Sequence, residues 1–152
     1  MHKNQNGFTL VELMMVVGIL TYVILALVQL FIYTSTSAQL GGNKTLALSE
    51  VQNKIEEIRN YEFDDVATDY ASSGTPGNKF DLIKLTGKGV ITLDSSVANL
   101  LTIEIVACWQ DKYGRIIGED TDLDGVLDTG EDANGNNKID SPVTLITMRS
   151  KR

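Results

Sequence analysis

Gly7-Phe8-Thr9-Leu10-Val11-Glu12 leads into LMMVVGILTYVILALVQLFIY, Leu13 to Tyr33, 21 residues without one formal charge. A helix of that length, rising about 1.5 Å per residue, reaches roughly 30 Å, the thickness of a bilayer's hydrocarbon core. Lys3 and the N-terminal amine precede the run, and no further base occurs until Lys44. The positive-inside tendency therefore puts the first residues in the cytoplasm and the rest across the membrane. An ordinary secretory signal has an apolar region of only about 7–15 residues, closed by a small-residue cleavage site. This run is longer, and Thr36-Ser37-Ala38 is a poor site. A plain single-pass anchor accounts for the length but leaves Glu12 unexplained. A carboxylate at the head of a membrane helix costs roughly several kcal/mol if it meets hydrocarbon unpaired, so Glu12 predicts a partner.

The same residues resemble the processing site of type IV prepilins and type II secretion pseudopilins. The leader is short and polar with a lysine, Gly7 is followed by Phe8, and Glu12 is the fifth residue after the glycine. The resemblance implies that a membrane-embedded prepilin peptidase cuts after Gly7 on the cytoplasmic side and methylates the new amine of Phe8. It also implies the partner of Glu12: the N-terminal ammonium of a neighbouring subunit, met as a filament grows from an inner-membrane assembly platform. Opposite charges brought together in a low-dielectric setting compensate each other's desolvation. A mis-stacked subunit would leave one of them buried and unpaired, which sets register. The chain departs from the resemblance in one place. Many pilins carry a proline near the middle of this segment, where this one reads Ala26-Leu27-Val28-Gln29-Leu30, and Gly41-Gly42 is its first helix-weakening site.

Beyond Gly42 the apolar spacing continues to predict helix. Leu48, Val51, Ile55 and Ile58 form a stripe, with Glu50, Glu56, Glu57 and Arg59 assigned to the exposed surface. Glu62 to Asn78, rich in Asp, Ser, Gly and Thr, reads as a connecting loop. Strands are expected over Phe80–Leu85 and Val90–Leu93, joined by a turn at Gly87-Lys88-Gly89. Leu100–Trp109 is the clearest strand, with Leu101, Ile103, Ile105, Ala107 and Trp109 on one face and Thr102 and Glu104 on the other. Tyr113–Ile117 and Val143–Met148 complete an antiparallel set. The fold class expected is α+β and pilin-like, a long N-terminal helix packed on a C-terminal antiparallel sheet. Its divisions are a leader (1–7), a transmembrane and assembly helix (8–34), an amphipathic continuation (35–61) and a globular β-rich domain (62–152).

The net charge of −7 is local. Eight acids and one base, Lys138, lie between Glu119 and Asp140, so this window holds the whole imbalance. Apart from the tail Arg149, Lys151 and Arg152 there is no basic face to offer nucleic acid. Cys108 is the only cysteine, so no intrachain disulfide forms, and its thiol is expected to be inert. The one histidine, His2, precedes the apolar run, which removes histidine chemistry from the soluble domain.

Within the acidic window, Asp120, Asp122, Asp124, Asp128 and Glu131 fall at the first, third, fifth, ninth and twelfth positions of a calcium loop, with Gly125 at the sixth. Alternate short carboxylates on a curled backbone converge on one point. Val126 would add its backbone carbonyl, and Glu131 is long enough to close the shell with both oxygens. A second loop follows directly. Asp132, Asn134, Asn136 and Asp140 keep the spacing, Asn137 takes the glycine position, and Val143 at the twelfth cannot ligate. Consecutive loops of this kind resemble the thrombospondin type 3 and dockerin styles more than a paired EF-hand, and no flanking EF-hand helices are expected. Calcium (Ca2+) is read as structural, a substitute for the missing disulfide.

These readings describe a non-enzymatic filament subunit of a type IV pilus or type II secretion pseudopilus. It would span the inner membrane once, with its C-terminal domain in the periplasm or outside the cell. Its partners would be other pilin or pseudopilin subunits, the prepilin peptidase and the assembly platform. The competing reading is a membrane-tethered, calcium-dependent binding module such as a tip adhesin or a DNA-uptake minor pilin.

Overall fold

The computed structural model describes residue 7 and residues 9–151. The first element is a 50-residue helix, α1 (Leu10–Arg59). Thr9 caps its start, the hydroxyl Oγ1 accepting from the N–H of Glu12 at 3.3 Å. A threonine followed three residues later by glutamate is a capping-box sequence, and an acid in the first turn also suits the positive end of the helix dipole. Two compact units divide the chain, the first ending at Gln39 and the second beginning at Leu40.

In the first unit every apolar side chain from Leu10 to Tyr33 is exposed. Water does not tolerate a patch of that extent. The helix satisfies its own backbone hydrogen bonds, as a lipid-facing segment must, and it is long and apolar enough to cross a membrane.

The second unit holds the core. After α1 comes a short helix, α2 (Phe63–Asp69), then strands β1 (Lys79–Asp81), β2 (Gly87–Asp94), β3 (Leu100–Gln110), β4 (Ile116–Ile117) and β5 (Thr144–Ser150). All pairings are antiparallel. β2 lies along one edge of β3 and is flanked by β1, while β4 and β5 share the other edge. The alternation in β3 buries Leu101, Ile103, Ile105, Ala107 and Trp109 together with Ala47, Val51, Ile55 and Ile58 of α1. A long helix on an antiparallel sheet is the pilin-like α+β arrangement.

Four local expectations need correction. Glu50 belongs to the core and not to the surface, only 7% exposed. Its carboxylate accepts the backbone N–H groups of Ile83 and Lys84 at 2.5 and 2.8 Å, satisfying a turn that would otherwise present bare donors to the helix. The connection at 62–78 contains α2, held because Val66 and the adjoining Tyr70 are buried. Tyr70 donates to Glu57 at 3.1 Å, and its ring meets Tyr61 edge to face. β1 stops at Asp81, since residues 82–86 form the hairpin connection. Gly87 and Gly89 accordingly lie inside β2 and not at a turn. A Cβ on Gly89 would strike the Phe80 ring, and one on Gly87 the backbone of Cys108 and Trp109, so these glycines permit close packing.

Register also explains where the acidic segment emerges. Trp109 pairs with Ile117 of β4 and Val106 with Thr144 of β5, so residues 118–143 leave and rejoin the sheet within three residues along β3. Ala107 N–H donates to the Val143 carbonyl at 3.1 Å, sealing the base of this excursion.

Candidate functional site

The acidic segment lies over the face of the sheet opposite α1. Leu127 and Ile139 line a cleft with Val90 and Val106 there. Gly118 opens the segment at φ +115, where a side chain would collide with the Cys108 sulfur. Burial, with a contribution from the nearby Asp120 charge, pushes the Cys108 thiol above its ordinary pKa, so it is held protonated and unreactive.

The first loop curls around Asp120, which is fully buried. Its two oxygens accept the N–H groups of Asp124 at 3.1 Å and Gly125 at 2.9 Å. Asp122 accepts from Asp124 N–H at 3.2 Å, and Asp124 accepts from Val126 N–H at 2.6 Å. The bend uses positive φ at Leu123 and Gly125. As a result Asp120, Asp122 and Asp124 each bring a carboxylate oxygen to within 4.8 Å of the others. Asp128 and Glu131 stand outside this tight trio. Burial raises the Asp120 carboxyl above its usual pKa despite the two N–H bonds, and the charges of Glu131 and Asp124 push the same way. Glu131 moves in the opposite direction. Hydrogen bonds from the Thr121 hydroxyl and from backbone N–H groups of Asp128 and Thr121 hold it below the usual range.

The second loop repeats the first with an offset of twelve. Asp132 accepts from the N–H of Asn136 at 3.0 Å and of Asn137 at 2.9 Å, Asn134 from Asn136 N–H at 3.0 Å, and Asn136 from Lys138 N–H at 2.8 Å. Gly135 and Asn137 carry the positive φ angles that Leu123 and Gly125 carry before them. Asp140 accepts the side-chain amides of Asn134 and Asn136 at 2.5 and 2.7 Å.

One residue of this arrangement escaped the sequence reading. Glu131 spans the first loop by accepting from the N–H of its second residue, Thr121 (2.6 Å), and of its ninth, Asp128 (3.0 Å). Glu119 does the same for the second loop, accepting from Ala133 N–H (3.2 Å) and Asp140 N–H (3.0 Å). The backbone agrees, since Glu131 N–H donates to the Asp128 carbonyl and Glu119 N–H to that of Asp140, at 3.1 and 2.9 Å. Each loop is thus clasped by the glutamate that precedes the other. The signal was present as a tandem repeat, EDTDLDGVLDTG at 119–130 and EDANGNNKIDSP at 131–142. A frame begun at Asp120 hides it by discarding Glu119.

At the other end of the chain, Gly7 and Glu12 are exposed, Glu12 lying in the first turn of α1. Phe8, the residue expected to carry the methylated amine, lies outside the described residues. Residues 2–28 match the prokaryotic N-terminal methylation motif, which is characteristic of type IV pilins and pseudopilins. No curated protein and no solved structure matches the chain. The motif, with the exposed apolar helix behind it, fits a membrane-anchored, single-pass protein of the type IV pilin-like kind, which prepilin peptidase processes. Proteins carrying it are structural and assemble with other pilin subunits.

Proposed function

We propose that the chain is a structural subunit of a type IV pilus-like or type II secretion pseudopilus filament. It is cut after Gly7, methylated on Phe8, and inserted by pairing Glu12 with the N-terminal ammonium of a neighbouring subunit. The soluble unit then stands on the periplasmic or outer side of the membrane. The observation that carries this reading is a carboxylate in the first turn of a helix whose apolar side chains from Leu10 to Tyr33 are all exposed. Helix capping offers Glu12 a humbler role, and the two are separable. Glutamine serves at that position of a capping box but carries no charge. Glu12→Gln and Glu12→Ala are therefore both expected to lose incorporation into filaments while processing and folding persist. Incorporation of the Gln variant at the wild-type level would leave only capping.

The same proposal gives the acidic segment to calcium. The donor set fits a hard cation, being all oxygen, with three carboxylates already converging, the buried Asp120 among them. Asp120, Asp122, Asp124, Asp128, Glu131 and the Val126 carbonyl would hold one ion. Asp132, Asn134, Asn136 and Asp140 would hold a second, with Glu119 supplying the closing carboxylate that Val143 cannot. The ion would neutralise charge concentrated on a short excursion from the sheet and tie that excursion to its base. Calcium titration calorimetry on the metal-free protein tests this. Two ions per chain are expected, falling to one in Glu119→Gln. An absence of binding heat at millimolar calcium would remove the metal from the account.

A further inference from the structure

The turn that joins β3 to β4 spends its one acid on shape and leaves its cations outside. The side chain of Asp111 is only 4% exposed. Its carboxylate accepts the backbone N–H groups of Tyr113 and Arg115 at 2.8 and 3.0 Å and the Arg115 Nε at 2.8 Å. Lys112, Tyr113 and Arg115 are all exposed. The Lys112 Nζ lies 4.7 Å from the centre of the Tyr113 ring and the Arg115 guanidinium 5.9 Å from it, both within reach of a cation–π contact. An amphipathic ring with two long cationic side chains is the composition that membrane proteins place at headgroup level. The turn also sits at a particular end of the sheet. Gln110 N–H donates to the Thr86 carbonyl at 2.8 Å, which sets the turn beside the 82–86 connection, and Glu50 of α1 holds that connection. Further along α1, the Ile58 carbonyl accepts from Arg149, whose partner in β3 is Leu101. α1 therefore meets the turn's end of the sheet first and runs away from it.

Resting on the membrane-anchored reading, we infer that Lys112, Tyr113 and Arg115 form a contact for the headgroup phosphates of anionic phospholipid, steadying the soluble unit on the bilayer that tethers it. Only residues 34–46 separate Tyr33 from Ala47, the first buried residue of α1, about 20 Å as helix. A tether of that length raises the effective concentration of the surface to about millimolar. Two exposed cations then suffice, although they would not capture free lipid, and so weak a contact is easily given up when the unit leaves the membrane. Lys84, on the adjoining connection, is exposed as well. Leu123 of the acidic segment lines a groove with residues 81–87, however, so Lys84 has negative surroundings and the turn is the stronger cation.

Paramagnetic relaxation enhancement on the full chain tests this, in nanodiscs carrying a trace of headgroup-nitroxide lipid. In discs of phosphatidylglycerol the amides of 112–114 are expected to show the largest enhancement of the soluble unit. The effect should fall by at least about five-fold in phosphatidylcholine discs and again in 0.5 M salt. Lys112→Glu should reduce it by at least about five-fold and Lys112→Arg should keep it. Arg59→Glu makes the same change of charge at the far end of α1 and should leave it in place. Equal enhancement in the two lipids, a maximum elsewhere on the unit, or no response to Lys112→Glu overturns the inference. Loss of the enhancement when a short DNA duplex is added would assign the turn to a polynucleotide and overturn it too. A chain that does not co-purify with discs of either lipid would instead show that the anchored reading had failed, and the inference would fall with it.

Discussion

Two stretches of α1 obey the same backbone rules and differ in everything that makes a helix stable. From Leu10 to Tyr33 no side chain is buried, so the stability and meaning of each residue depend on surroundings the chain itself does not supply. From Ala47 to Ile58 the helix presents Ala47, Val51, Ile55 and Ile58 to a sheet that completes their burial. On the proposed reading the first stretch is specified toward lipid and other subunits; the second packs into the chain's own core. A mutation should therefore be read out in assembly when it falls in the first and in folding when it falls in the second.

The largest expected effect tests the first half of that contrast. Glu12→Gln should reduce filament incorporation to background while the melting temperature of the soluble unit moves by less than about 1 °C, since Glu12 is exposed and belongs to the other unit. A parallel drop in melting temperature would break the division between the two stretches.

The second test applies one kind of deletion on both sides. Ile105→Ala removes a fully buried side chain at the centre of the sheet and should destabilise the soluble unit by about 2–5 kcal/mol in denaturant unfolding. Leu20→Ala, in the exposed run, should leave that unfolding curve in place. Equal losses at the two positions would mean that the span is buried against the domain.

Calcium gives the third. With free calcium at about a hundred times the dissociation constant, binding should add about 2.7 kcal/mol to the stability of the soluble unit, lost on chelation and restored by excess metal. The pH dependence has a definite sign. Calcium needs Asp120 ionised, and burial raises its pKa, so protons compete at a higher pH than they would at an exposed aspartate. In the metal-free protein the ionised Asp120 costs stability above its unfolded pKa, and that cost disappears on acidification. The melting-temperature gap between calcium-loaded and calcium-free protein should accordingly narrow as pH falls from 7 toward 5. A gap that widens would assign the ion to other groups.

What could be read from sequence follows the same contrast. The apolar span needed only composition and length, and the face of β3 needed only the alternation from Leu101 to Trp109, both local patterns. Glu50 was misassigned because a helical projection sees an acid beside other acids. Its partners, the amides of Ile83 and Lys84, lie more than thirty residues away. Gly87 and Gly89 carry the residue type of a turn, and only the ring of Phe80 and the neighbouring strand show that they serve packing. α2 has seven residues, too few for a period to register. Glu119 was lost for a different reason. Its role is defined by a hydrogen-bond pattern repeated across two loops, and a single-loop template has no place for a residue in front of it.

The smallest effect concerns Lys138, the lone base of the acidic segment, which bonds Glu104 of β3 at 2.9 Å. Proximity to so much negative charge makes this ion pair look important for holding the segment to the sheet. Its geometry argues otherwise. The lysine side chain is more than half exposed, and exposed pairs contribute about 0–1 kcal/mol once screening and side-chain entropy are counted. The segment has better anchors in the paired strands at its base and in Leu127 and Ile139 over Val90 and Val106. Lys138→Met keeps the aliphatic stem and removes the charge, so it should shift the unfolding midpoint by an amount equivalent to less than about 1 kcal/mol. The shift should shrink further in 1 M salt. Ile139→Ala, which removes an apolar anchor next to it, should cost more than Lys138→Met. The reverse order would mean that electrostatics, and not packing, holds the two loops against the sheet.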